Sequence, residues 1–238
     1  MRGPEQSCYN PGAMVRLFAL LIVALSGQAQ AADAGTRPRI AVLYFETGTT
    51  DVELQAFSKG LAALMTTDLS SNEQLDVLER ERLEAVLAEL KLGESRAAHK
   101  GSFAQVGKLL GVDYLVMGLL VGAGGRFALD AHVVKVETSK TVGGARVMLD
   151  PKDVFVAEEQ LVEKLGALFV KLGSLAVAPA PPAKRTHPLP LKTAVAYSKA
   201  LDARDKKDPV TATRLLGEVL KEQPDFKLAQ LDLLSLTK

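Results

Sequence analysis

The chain has 238 residues, of which 47% are hydrophobic and 24% charged, and its formal net charge at pH 7 is +1. This length fits one medium domain with an appendage, and the apolar content excludes a wholly disordered or collagen-like chain. The balanced charge gives no electrostatic indication of a nucleic-acid partner. The single cysteine and three histidines exclude a disulfide framework and leave few candidate ligands for a metal centre.

The amino terminus is typical of a secretory signal peptide, which we place at residues 1–31. Arg16 precedes an apolar run at 17–25, and an Ala-x-Ala cleavage pattern ends at Ala31. The run is shorter than the roughly 20 apolar residues that a membrane-spanning helix needs. Met14 is a candidate for the true start, because the polar stretch before it weakens a signal. We therefore expect export to the periplasmic space of a Gram-negative-type envelope.

The single cysteine bears on whether the exported chain carries a lipid. Cys8 lies before the apolar run and no cysteine follows it, so the sequence predicts a protein without a lipid anchor. Cleavage after Ala31 would also remove Arg2, Glu5 and Arg16, and the mature chain would then be neutral and free of cysteine.

Apolar runs and helical periodicities alternate through residues 38–175, which we predict to form one domain. The predicted elements are, in chain order, a strand at 39–45, a helix at 54–69, a strand at 75–78, helices at 79–90 and 103–110, strands at 114–121, 126–136 and 141–149, and a helix at 157–175. Early alternation of strands and helices followed by a meander predicts an α/β domain, with a mixed β-sheet flanked by helices.

A Pro- and Ala-rich segment at 176–190 predicts a stiff, extended linker. The last segment, 191–238, predicts a small helical unit. Within it, 207–224 matches the spacing of a tetratricopeptide repeat. One such repeat cannot bury its own apolar face, so the unit must dock on the main domain, pair with another copy or bind a partner. The residues predicted to form its partner-binding surface are Tyr197, Leu201, Ala212, Leu216, Val219 and Pro224.

Four segments together give the first domain a family resemblance. They are Ile40 to Glu46, Val77 to Leu83, Leu109 to Gly118, and Val134 to Ser139. In order and spacing they resemble the CsgG family. The resemblance implies an α/β envelope domain with a CsgG-like, anticodon-binding-like sandwich, related to the curli secretion component and to periplasmic activators of cell-wall synthesis. It also implies action by assembly and binding, with no catalytic residues to transfer.

Two departures from the CsgG pattern separate this chain from curli-type members, which are lipoproteins and insert long amphipathic hairpins into the outer membrane. This signal has no cysteine at its cleavage site. A membrane strand needs about 9–11 residues of alternating character. The candidate strands of that length, within 114–149, are required by the domain's own sheet. A pore is therefore not favoured.

Two glycine-containing segments could be taken for nucleotide-binding motifs. Gly101 to Lys108 has five residues between its glycines, where a phosphate-binding loop has four, and Leu109 replaces the magnesium-binding Ser or Thr. Gly122 to Gly125 is followed by an alternating strand instead of a helix, which predicts a hairpin turn. Neither segment predicts a cofactor site.

Candidate acid–base and metal-binding groups are few. Glu79, Glu81, Glu84 and Glu89 lie among arginines on one predicted helix, which indicates a solvated charged face. His99, His132 and His187 are far apart and have no clustered carboxylates, so surface positions are favoured over metal ligation. We predict no enzyme, no cofactor and no metal.

The sequence therefore predicts a non-catalytic accessory or assembly protein of the cell envelope that acts by binding protein partners. Two alternatives stay open: a subunit of an outer-membrane secretion channel, and a periplasmic activator of a cell-wall synthase. Homo-oligomerisation and outer-membrane association are also open, and the sequence does not identify the partner.

Overall fold

Apolar or alternating segments form the longer strands of the domain. The computed structural model describes residues 37–48, 52–90, 103–123, 126–176, 185 and 187–237. All of these lie in one compact unit, Arg37–Lys238. The predicted signal peptide, His99 and most of the predicted linker lie outside the described residues. The strands are β1 (Arg39–Val42), β2 (Glu46–Thr47), β3 (Asp76–Val77), β4 (Tyr114–Ala123), β5 (Arg126–Lys135) and β6 (Lys140–Leu149).

The helices follow the predicted periodicities closely. They are α1 (Val52–Ser70), α2 (Arg80–Glu89), α3 (Phe103–Leu110), α4 (Val154–Lys171), α5 (Leu191–Asp205), α6 (Pro209–Glu222) and α7 (Lys227–Leu236). Gly111 follows α3 with a φ of +67°, a conformation that glycine adopts without strain and that ends the helix. Asp208 caps α6 by accepting a hydrogen bond from the Thr211 amide at 3.0 Å.

The strands form one mixed sheet with the order β3-β1-β4-β5-β6, and the short β2 also pairs with β4. β1 runs parallel to β3 and β4, whereas β4, β5 and β6 are antiparallel neighbours. The strands within 114–149 thus belong to the domain's own sheet, as predicted. The expected α/β class with a mixed sheet and flanking helices is confirmed.

The register of the antiparallel strands places one buried layer under two helices. Leu120, Leu129 and Val147 lie opposite one another across β4, β5 and β6, and all three are buried. α1 and α4 pack on this part of the sheet. Leu54 of α1 lies close to Gly122, and Leu168 of α4 lies close to Gly143. Burial of these aliphatic side chains is the main stabilising contribution of the domain.

The described end of the predicted linker is bound to the domain. The Leu189 amide donates to the Asp153 carboxylate at 3.1 Å, and the Leu191 amide donates to the Pro151 carbonyl at 2.8 Å. Leu189 itself is fully buried. The helices beyond 190 therefore start from a fixed position on the domain.

Gly118 in β4 tests the packing of the sheet. A methyl group there would meet the buried ring of Phe45 and would lie 2.6 Å from the carbonyl oxygen of Asp130. We expect Gly118→Ala to lower the free energy of unfolding by about 1–3 kcal/mol, because neither neighbour can move aside cheaply.

Gly217 in α6 is the matched control, because nothing lies within 4 Å of a methyl placed there. Gly217→Ala should raise the free energy of unfolding by up to about 1 kcal/mol through helix propensity. Urea unfolding of both variants makes the comparison. Equal effects at the two glycines would contradict the described packing.

Candidate functional site

The three carboxy-terminal helices dock on the domain through α5, which packs against α1. The two helices approach closely at Gly60, where a methyl group would collide with Ser198. The Ser198 hydroxyl accepts a hydrogen bond from the Gly60 amide at 3.0 Å and donates to the Ala194 carbonyl at 2.9 Å. Docking on the main domain is thus the observed outcome among the three that the sequence left open.

A buried lysine lies beside this close approach. The Lys59 ammonium lies 3.0 Å from an Asp205 carboxylate oxygen, 3.2 Å from Glu84 and 3.3 Å from Asp202. Its side chain is only 7% exposed. The ammonium also lies 5.3 Å from the centroid of the Tyr44 ring. One cation of α1 is therefore surrounded by carboxylates from α2 and α5.

Arg80 supplies a second cation to the same cluster. One of its terminal nitrogens donates to both Asp205 oxygens at 2.8 Å, and its side chain is 6% exposed. Burial favours the neutral form of Asp205, but the hydrogen bonds and charges of Arg80 and then Lys59 outweigh it and lower the pKa of this carboxyl. Burial and the neighbouring carboxylate of Glu84, to which the phenol donates, raise the pKa of Tyr44.

Arg204 extends the cluster along α5. It pairs with Glu81 of α2 at 2.5 Å and with Asp232 of α7. The Tyr197 hydroxyl donates to Asp232 at 2.8 Å. The docking cluster, which we define as Lys59, Arg80, Glu84, Asp202 and Asp205 with Arg204 at its edge, thereby connects α1, α2 and α5 and reaches α7.

The predicted solvated face of α2 is wrong for two of its residues. Arg80 is buried, and Glu84 is mostly buried with a side-chain exposure of 24%. They face α5 because α5 covers this side of α2. Glu81 keeps an exposed side chain, as predicted.

The predicted partner-binding residues of the helical unit are mostly interior. Tyr197 is 2% exposed, and Leu201, Ala212, Leu216 and Val219 are buried at least as fully. They pack the helices together, and a partner-binding role for these residues stays a prediction. Pro224 is exposed in the turn between α6 and α7. The tetratricopeptide character of the unit stays a prediction.

A groove lies where α5 and α6 meet the first turn of α1, and its volume is about 470 Å³. Val195 and Val219 are the buried part of its floor, and Ala196 and Leu215 are partly exposed. Val219 is the one predicted partner-binding residue that borders it. Charged side chains form the rim: Lys192, Lys199 and Lys221 with Glu53, Glu218 and Glu222. The sequence analysis did not identify these rim residues, because the positions that define a helical repeat are those that pack the helices together, and the rim residues lie between them.

A second cluster holds the described end of the predicted linker. Arg185 donates to both carboxylate oxygens of Asp68 at 2.8 and 2.9 Å, and to Glu158 at 3.0 Å. Its guanidinium also lies 4.0 Å from the centroid of the Phe155 ring. Glu158 is fully buried, and one of its carboxylate oxygens has no hydrogen-bond partner among the described residues.

Two of the three histidines that we predicted to lie at the surface are among the described residues. His132 is exposed on β5, as predicted, and His187 is exposed and lies 2.7 Å from Asp225. Within the ranges that the structure describes, no group of three or more His, Cys, Asp and Glu side chains could hold a metal ion. None of the described helices is long and apolar enough to cross a membrane.

Comparison with known proteins supports the family resemblance of the first domain. Residues 23–127 match the family model described as "Curli production assembly/transport component CsgG". The match covers three of the four resembling segments. It supports a CsgG-like family for this part of the chain. No curated protein matches the sequence.

Several solved structures share part of the fold. The LpoB C-terminal domain from Salmonella enterica is 14% identical with a TM-score of 0.40, covering 58% of this chain and 96% of that one. A lipoprotein from Neisseria meningitidis is 13% identical with a TM-score of 0.42, covering 56% and 99%. The PelC dodecamer from Paraburkholderia phytofirmans is 9% identical with a TM-score of 0.34, covering 55% and 86%. These similarities add no argument about function.

Asp205→Asn tests the docking cluster. The change removes one negative charge between two buried cations, and breaking a buried pair in this way costs about 3 kcal/mol. We expect a loss of that size in urea unfolding at neutral pH. Because Asp205 has a lowered pKa in the folded protein, its contribution is present above its unfolded pKa and is lost as the pH falls through the folded pKa.

Glu218→Gln is the control for Asp205→Asn. Glu218 pairs with Arg214 at 2.6 Å on an exposed helix face, so its loss should change the free energy of unfolding by less than about 0.5 kcal/mol. Similar losses at Asp205 and Glu218 would contradict a stabilising role of the docking cluster.

Glu158→Gln tests the second cluster through pH. Burial, followed by the negative charge of Asp68, raises the pKa of Glu158 well above its usual value, and Arg185 opposes this only in part. The unfolded chain ionises first as the pH rises, so the wild type loses stability from about pH 4.5 up to the folded pKa. Glutamine cannot ionise. The free energy of unfolding of Glu158→Gln, relative to that of the wild type, should therefore increase as the pH rises.

Glu163→Gln on the exposed side of α4 controls for the charge change. Chemical unfolding of both variants at several pH values makes the comparison. A pH-independent difference between Glu158→Gln and the wild type would contradict the raised pKa.

Proposed function

We propose that this protein is a non-catalytic accessory protein of the cell envelope that acts by binding other proteins. One structural observation carries the proposal. The docking cluster fixes a helical unit on the α/β domain, and a groove with an apolar floor and a charged rim lies where α5 and α6 of that unit meet the first turn of α1. Binding grooves for protein segments combine these two features. The match of 23–127 to the CsgG family model supports the envelope setting.

The charged groups of the docking cluster favour binding over catalysis. Asp202, Asp205 and Glu84 pair with Lys59 or Arg80, so their carboxylates are engaged in holding helices together. A general acid or base must instead reach a substrate proton. We therefore propose that the protein acts by binding through its surface, and that the α/β domain holds the binding surface in place.

We place the mature protein in the periplasm. The predicted signal at 1–31 supports export, and the lack of a cysteine after the apolar run supports a chain without a lipid anchor. The secretion-channel alternative has less support, because β4, β5 and β6 pair within the domain's own sheet. The cell-wall activator alternative agrees with the same surface and differs only in the partner.

Site-specific crosslinking tests this proposal. A Cys8→Ser chain that also carries Lys199→Cys has its only cysteine at the groove rim. The purified protein is labelled with a benzophenone maleimide, mixed with envelope extract and irradiated. We expect a discrete crosslink to another envelope protein.

Lys171→Cys in the same background is the control, because Lys171 is exposed on α4 and does not line the groove. Equal crosslinking from both positions, no crosslink from position 199, or fractionation of the protein with the cytoplasm would contradict the proposal. Point variants are preferred to deletion of 191–238, because that deletion would remove Asp205 and Asp202 from the buried Lys59 and Arg80.

A further inference from the structure

The rim of the groove carries lysine side chains that form no ion pair within the described part of the protein. Lys199 and Lys221 are exposed, and neither makes an ion pair with any residue in the described ranges. Lys192 lies 4.0 Å from Glu222, with both side chains largely exposed, and such a contact contributes little. Three ammonium groups from two helices therefore face one groove.

Two of the three glutamates on the rim lie on α6, and each has a cation nearby. Glu218 pairs with Arg214 at 2.6 Å, and Glu222 accepts a hydrogen bond from the Thr193 hydroxyl at 2.6 Å. Glu53, in the first turn of α1, is the carboxylate on the opposite wall. Arg214 accompanies the charge of Glu218, and Lys192 accompanies that of Glu222 at 4.0 Å. Lys199 and Lys221 are the rim cations on α5 and α6 that pair with no carboxylate of the described residues.

From this arrangement we propose that the groove binds a partner segment in which acidic side chains alternate with small aliphatic ones. Carboxylates of the segment pair with Lys199 and Lys221, and its aliphatic side chains pack on Ala196 and Leu215. The proposal rests on the proposed function and specifies the chemistry of its partner. Opposite charges meeting across an interface set the orientation of a bound segment.

The floor of the groove favours a polypeptide over other anions. Among its lining residues are four aliphatic side chains and no aromatic ring, so bases of a nucleic acid have no stacking surface. Lysine ammoniums are separate point charges without the planar fork that arginine offers to phosphate. An aliphatic floor between separate ammonium groups is instead complementary to alternating aliphatic and carboxylate side chains.

Fluorescence anisotropy with defined peptides tests the proposal on the full mature chain. The probe is a short fluorescein-labelled peptide of alternating glutamate and valine, and its counterpart has lysine in place of glutamate. We expect the acidic peptide to bind, the basic one not to bind, and added salt to weaken the acidic complex. The double variant Lys199→Glu with Lys221→Glu should weaken binding by about tenfold or more, because it replaces two attractions by repulsions.

The control carries the same charge change away from the groove. Lys171→Glu with Lys227→Glu reverses two exposed lysines that do not line it, and binding should change by less than about twofold. Thermal unfolding checks that both double variants fold. The pair Lys199→Gln with Lys221→Gln, which only removes the charges, replaces the glutamate pair if that variant unfolds, and it should weaken binding by a smaller factor.

Several outcomes would overturn the proposal: equal binding of the basic peptide, equal weakening by the control pair, or binding of polyphosphate in place of the acidic peptide. If the peptide fails while the Lys199→Cys crosslink persists, this inference falls and the proposed function stands. If the crosslink is absent while the acidic peptide binds as described, the proposed function falls and the chemistry of the groove stands.

Discussion

The buried ammonium of Lys59 is the interaction on which the arrangement of the two halves of the chain depends. It lies beside Gly60, where α5 approaches α1 so closely that a side chain at position 60 would collide with Ser198. A buried cation is tolerable only when carboxylates surround it, and two of its three come from α5. The helical unit therefore completes the domain, and the position of the groove follows from this contact.

Much of the fold could be predicted from the sequence because the signals are local. Apolar runs predicted the longer strands, and three- and four-residue spacings predicted the helices. The short strand Glu46–Thr47 has no apolar run and was not predicted. The parallel and antiparallel pairings of the mixed sheet also agree with the predicted alternation followed by a meander.

The candidate site was much harder to predict, since its residues have no local signature. A lysine in an amphipathic helix normally lies in solvent, and nothing near Lys59 in sequence indicates that two of its three carboxylate partners lie more than 140 residues later. The repeat pattern likewise identified Leu201 and Leu216, which pack the helices, instead of Lys199 and Lys221, which lie between the packing positions. Hydrophobic periodicity identifies the residues that a helix buries, whereas a binding surface is formed by the exposed residues between them.

The distance along the chain between Lys59 and Asp205 also shapes how the protein folds. Contacts between residues so far apart close a long loop, and such contacts slow folding. Until α5 has been synthesised, α1 carries a cation with no burial site and a glycine with no helix to pack against it. A nascent or truncated chain therefore has an incomplete α1 surface, which favours a loosely structured state until the last helices arrive.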